Sequence, residues 1–125
     1  MRRLLDTHIW LWNLQAQRRL GRRVLRYLQD RENELWLSPM STWEALTLNH
    51  KGRIRINEDL ATWLARAIAG TREAPLTHEI ALAARRLSMR QDPADRILAA
   101  TAEVLDLTSH RRRTTAAIGN DSNYG

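Results

Sequence analysis

The chain predicts an α/β fold in which a small parallel sheet is flanked by helices, and three observations predict it. Two short apolar runs, Leu4-Leu5 and Leu35-Trp36-Leu37, have the length and composition of buried strands. Segments with apolar residues at helical spacing come between and after them. The acids Asp6, Glu44, Asp92 and Asp95 fall where such strands end or where helices begin. In an open parallel sheet that edge is where functional sites assemble.

The elements follow in order. After the Leu4-Leu5-Asp6 strand comes an apolar stretch, Ile9-Trp10-Leu11-Trp12. Val24, Leu25 and Leu28 form one apolar face between Arg22 and Asp30, with arginines opposite. The second strand, Leu35 to Ser38, stops at Pro39. A helix from Ser41 carries Trp43, Leu46 and Thr47 on one side and ends near Gly52; Leu60, Trp63, Leu64, Ala67 and Ile68 mark the next, ended by Gly70. Thr77 begins another, with Ile80, Ala83, Ala84 and Leu87 as its stripe. Asp92-Pro93 opens the last helix, running to about Leu105. Residues 1–108 read as one domain. Beyond Thr108 neither period persists, so residues 109–125 read as a disordered tail.

Composition narrows the function. In 125 residues, 43% hydrophobic, the chain can bury a real core. No apolar run is long enough to span a bilayer, and Met1-Arg2-Arg3-Leu4-Leu5-Asp6 turns acidic too soon for a signal peptide, which predicts a cytoplasmic protein. The absence of cysteine excludes disulfides and thiolate metal sites. A net charge of +6 and a pI near 11.1, carried almost wholly by arginine, make nucleic acid the leading partner, since the guanidinium fork grips phosphate.

Within this basic chain the acids invite two readings. Structurally, Ser41-x-x-Glu44 is a capping box, and Asp92-Pro93-x-Asp95 is an N-cap followed by a first-turn acid. Asp6, directly after a buried strand, has no such explanation. Functionally, Asp6, Glu44, Asp92 and Asp95 could converge on one side of the sheet. Clustered carboxylates repel one another unless a cation lies between them, and oxygen-only ligation selects Mg²⁺ or Mn²⁺. Trp10, Trp12, Trp36, Trp43 and Trp63 read as core. Arg18-Arg19 and Arg22-Arg23 read as a solvated face, and among the histidines only His8 lies close to the acids in sequence.

Four segments carry a family resemblance: Leu4-Leu5-Asp6-Thr7-His8, then Leu37-Ser38-Pro39-Met40-Ser41-Thr42-Trp43-Glu44, then Leu76-Thr77-His78-Glu79-Ile80-Ala81, and finally Asp92-Pro93-Ala94-Asp95-Arg96-Ile97-Leu98-Ala99-Ala100-Thr101-Ala102. In order and spacing, from Arg3 to about Thr108, the chain resembles the PIN-domain family, and within it the VapC-type toxins of type II toxin–antitoxin systems. The resemblance implies a PIN-like three-layer fold, usually homodimeric. It implies an endoribonuclease dependent on Mg²⁺ or Mn²⁺ and neutralised by a cognate VapB-type antitoxin. Asp6, Glu44 and Asp95 match the family's metal-site and catalytic acids, and Asp92 is an accessory acid. Arg96 and His8 are candidate substrate contacts.

The C-terminal end departs from this pattern. Where the family continues with a strand and a Thr-Ala-Asp-like element bearing a fourth acid, this chain has Leu107-Thr108-Ser109-His110-Arg111-Arg112-Arg113. A reading-frame slip accounts for the change: Ser-His-Arg-Arg-Arg written TCT-CAC-CGC-CGA-CG becomes Leu-Thr-Ala-Asp when displaced by one base. The departure sets an alternative beside the nuclease: a catalytically impaired PIN-fold remnant that binds antitoxin or RNA without cleaving it. A basic RNA-binding module whose acids serve only as caps is a further reading.

Overall fold

The computed structural model describes residues 1–87 and 92–109. In chain order the elements are β1 (Arg2–Leu4), α1 (Thr7–Gln15), a 3-10 turn (Gln17–Arg19), α2 (Arg22–Gln29), β2 (Glu34–Leu37), α3 (Pro39–His50), α4 (Leu60–Ala67), β3 (Arg72–Glu73), α5 (His78–Arg85), α6 (Pro93–Val104) and β4 (Thr108–Ser109). All strand pairings are parallel and the sheet order is β3-β2-β1-β4. Leu4 lies opposite both Trp36 and Ser109, so β1 is central. The chain steps outward from β1 to β3, then crosses back over the sheet to β4.

Period-two alternation in the strands sorts the core into two layers. Leu5 and Leu37 face one side and pack with Trp10, Leu11, Tyr27, Ala45, Trp63 and Ala67 from the first four helices. Leu4 and Trp36 face the other side, against Leu98 and Ala102 of α6. Helices therefore cover both faces, which gives the three layers expected and buries the apolar ends of β1 and β2, Leu4 and Leu37.

Helix α1 is apolar nearly all round, with Thr7, Ile9, Trp10, Leu11 and Trp12 buried, as a helix wedged into a core must be. The Trp10 indole N–H donates to the Ala67 carbonyl at 3.0 Å, and its ring lies 5.9 Å from that of Trp63. Gly52 and Gly70, the expected helix stops, both have left-handed backbones, with φ of 76° and 84°. The α5 stripe of Ile80, Ala83 and Ala84 is buried as its spacing predicts.

Two expectations need correction. Helix α3 starts at Pro39 and not Ser41: the Ser38 hydroxyl accepts the Met40 N–H at 3.0 Å, which makes Ser38 the cap. The Ser41–Glu44 capping box therefore does not form. Trp43 is 66% exposed and is not core. Ser41 and Ala45, one turn apart, take the inward face, and a residue two positions after Ser41 points almost directly away from it. Strand β3 was not foreseen, because two residues are too few to carry a period, and the equally short β4 lies where the expected C-terminal strand was read as missing or altered. Residues 108 and 109, either side of the expected boundary, form β4, whose Ser109 pairs with Leu4. The rest of the expected tail, residues 110–125, lies outside the described residues, as does the proposed frame change. Among the described residues no helix is long and apolar enough to cross a membrane.

Candidate functional site

In a parallel sheet all strands end on the same side. Strand β1 ends at Leu4, one residue before the last β1–β2 backbone bond, Leu5 N–H to Trp36 O at 2.9 Å, and Asp6 follows at once. Asp6 is 5% exposed and caps α1, its carboxylate accepting the His8 N–H at 3.0 Å. The acid for which the sequence offered no structural role thus has one.

Strand β2 ends at Leu37 beside β1, and Ser38-Pro39 turns straight into α3. This brings the first turns of α1 and α3 together. Thr7, 2% exposed, places its hydroxyl 2.5 Å from Glu44 Oε1 and 2.7 Å from Ser41 Oγ. A hydroxyl has one proton and a carboxylate can only accept, so Thr7 donates to Glu44 and the Ser41 hydroxyl supplies the proton of the other bond. Thr7 and Ser41 are the organising residues that sequence reasoning missed. Ser41 was read as a cap, and the only signal for Thr7 was its position next to Asp6.

The third approach to this edge comes from α6, which packs on the opposite face of the sheet. Asp92 is its N-cap, accepting the Asp95 N–H at 2.9 Å, with Pro93 at the first helical position. Here the capping expectation holds. Asp95 and Arg96 are half-buried on the first two turns of α6. Helices α3 and α6 are in contact across the end of the sheet.

Electrostatics tie these pieces together. Burial raises the Glu44 pKa; the Thr7 hydrogen bond opposes the rise, and the charges of Asp92, Asp95 and Asp6 add to it. Burial lowers the His8 pKa, the charges of Asp6, Asp95 and Asp92 push it back up, and Arg19 pushes it down. Asp6, Glu44, Asp92 and Asp95 therefore sense one another, with His8 among them. His50 and His78 lie elsewhere, on the ends of α3 and α5.

The donor set is all oxygen and of the kind that suits Mg²⁺ or Mn²⁺. Repulsion that raises Glu44 is the repulsion a cation would relieve. As the side chains stand, no group of three or more His, Asp or Glu among the described residues is drawn together tightly enough to hold an ion. Asp6, Glu44 and Asp95 share a neighbourhood and do not close on one point. The residues fit a divalent cation in kind and charge.

No curated protein and no solved structure matches the chain. The PIN domain family, whose members are generally nucleases that use divalent metal ions, matches residues 3–116. With a parallel sheet clad in helices on both faces and a match over most of its length, this chain belongs to the PIN domain family.

Proposed function

We propose that this chain is a Mg²⁺- or Mn²⁺-dependent endoribonuclease of the VapC type, cytoplasmic and dimeric, neutralised by a VapB-type antitoxin. One observation carries this reading: the half-buried Glu44 carboxylate, held by the Thr7 hydroxyl, has its pKa raised first by burial and then by the charges of Asp92, Asp95 and Asp6. Such self-repulsion is a cost that stability alone would have no reason to retain. The capping-box explanation for Glu44 is gone, since α3 is capped by Ser38.

In this reading Asp6, Glu44 and Asp95 are the catalytic acids that hold the cation, with Asp92 accessory. A bound Mg²⁺ or Mn²⁺ supplies charge stabilisation at a phosphodiester and activation of water. Thr7 fixes the Glu44 carboxylate and leaves its second oxygen to the site. Asp6, held by the His8 N–H, keeps its carboxylate at the sheet edge. Arg96 and His8 flank the acids as substrate contacts, and surface arginines position the strand through its phosphates.

The test is cleavage of single-stranded RNA with Mg²⁺ or Mn²⁺ and with chelator. Activity should vanish in chelator, and Asp6→Asn should lower it by about a hundredfold or more. Because Asn caps a helix as well as Asp does, the melting temperature should barely change. Cleavage that persists in chelator would reject the mechanism.

The impaired-remnant reading keeps one observation in its favour: the acids do not close on a common point among the described residues. A chain that binds RNA or antitoxin but shows no cleavage with either metal would establish it.

A further inference from the structure

Just past the C-terminal end of α1, the chain makes a tight 3-10 turn, Gln17–Arg19. The turn is locked at both ends. Arg19 N–H donates to Ala16 O and Leu20 N–H to Gln17 O, both at 2.9 Å. The Gln17 side chain donates to Asn13 Oδ1 at 2.9 Å, which staples the turn to α1. Leu20, 8% exposed, anchors the exit of the turn in a cluster with Ile9 and Trp12.

Two arginines leave this turn, and they differ. Arg19 lays its guanidinium over the Trp12 ring, 4.7 Å from the centroid, while its residue stays exposed to solvent. Arg18 is exposed as well. Trp12 is fixed in the core, and His8 meets it edge-on with ring centroids 6.2 Å apart. His8 and Trp12 are one turn apart on α1, so carboxylates, His8, Trp12 and Arg19 follow one another along one face. Asp6 accepts the His8 N–H at 3.0 Å, so a run of contacts leads from Arg19 through Trp12 and His8 to the first carboxylate of the edge. A cation held on Trp12 thus stands at one end of that run and a carboxylate at the other.

We propose that Arg19, held flat on Trp12, binds a backbone phosphate of the RNA strand and so positions the neighbouring nucleotide's phosphodiester over the carboxylates. The proposal rests on the nuclease reading above for the identity of the strand. Stacking on an aromatic face orients the planar fork before the ligand arrives, so less side-chain freedom is lost when phosphate binds. A phosphate has to approach four carboxylates to be cleaved, and a cation set at their edge offsets that repulsion. Turn, stapling glutamine and tryptophan together do for Arg19 what nothing described does for Arg18.

The experiment compares Arg19→Ala, Arg19→Lys and Arg18→Ala with the unaltered chain. Each protein is titrated with a fluorescent single-stranded RNA in chelator, over a series of salt concentrations. Cleavage with Mn²⁺ is measured separately. Arg19→Ala should weaken binding about tenfold and lower the slope of log K against log salt by about 0.7, the loss of one phosphate contact. Arg19→Lys should recover the slope but only part of the affinity. Arg18→Ala should stay within about twofold of the unaltered chain. In cleavage, Arg19→Ala should raise KM and leave kcat nearly unchanged. Equal losses for Arg18→Ala and Arg19→Ala, or an unaltered chain that does not bind, would overturn the proposal. A chain that binds as described but never cleaves would instead defeat the nuclease reading, with Arg19 upheld by the binding data.

Discussion

The two halves of the acidic edge are built on opposite principles. At the start of α6, Asp92 and Asp95 do what first-turn acids do for any helix: Asp92 accepts the Asp95 N–H, and both meet the positive end of the helix dipole. That half stabilises the fold whether or not it has a function. Between α1 and α3, Glu44 is half-buried in mid-helix, its pKa raised by burial and by the neighbouring acids, with one Thr7 hydroxyl in support. That half works against the fold. A site can therefore combine acids that local structure would keep anyway with acids that only a ligand would justify. The second kind points more firmly to function.

The largest test of this contrast is the support itself. Thr7→Val removes the donor to Glu44 and leaves the fully buried Ser41 hydroxyl without that partner. Unfolding by urea should show a loss of about 1–3 kcal/mol, and Thr7→Ser should restore most of it. If Val is tolerated without loss, the hydroxyl chain does not hold α1 to α3.

Next comes a pair of substitutions with opposite signs. Asp92→Ala deletes a cap and should destabilise by about 1 kcal/mol. Glu44→Gln keeps an acceptor for Thr7 and removes the repelled charge, so the metal-free chain should gain stability at neutral pH. The gain should stay below about 1 kcal/mol, because a half-exposed carboxylate is screened by water. The sign follows from linkage: the folded pKa of Glu44 lies above its ordinary value of 4.5, so its contribution to stability is fully present below that value. It is lost as pH rises through the folded pKa, and the advantage of Glu44→Gln should appear over that same window. Both variants should lose cleavage. A Glu44→Gln chain less stable than the parent at neutral pH would mean that the carboxylate serves the fold after all.

The smallest effect concerns the tryptophans. Trp43→Ser, at a residue 66% exposed on the outer side of α3, should change stability by no more than about 0.5 kcal/mol. Trp63, 7% exposed against Trp10, is the contrasting core residue. A large loss at Trp43 would show that the outer side of α3 is covered in solution.

Spacing within the chain determined a good deal. Helical stripes such as Ile80, Ala83 and Ala84 repeat often enough to be read without a partner, and Gly52 and Gly70 stop helices because they alone among residues enter a left-handed backbone at little cost. The parallel α/β class was legible for the same reason, and each candidate acid stood out through the strand end or helix start beside it in sequence. What the sequence misassigned was the job of two acids. It saw a cap in Glu44 and none in Asp6, and the structure reverses both.

Tertiary structure alone decided the rest. Strands β3 and β4 are two residues long and exist because β2 and β1 offer them backbone partners. Helix α3 rotates so that Ser41 meets Thr7, 34 positions away, and this turns Trp43 outward and Glu44 toward the acids. Arg18 and Arg19 are identical letters in the chain, and only the position of the Trp12 ring distinguishes them. A local pattern records the period of a helix and the residue that starts or stops it. Which face turns inward, and which charges must share a neighbourhood, is settled by packing between segments whose separation in sequence carries no period.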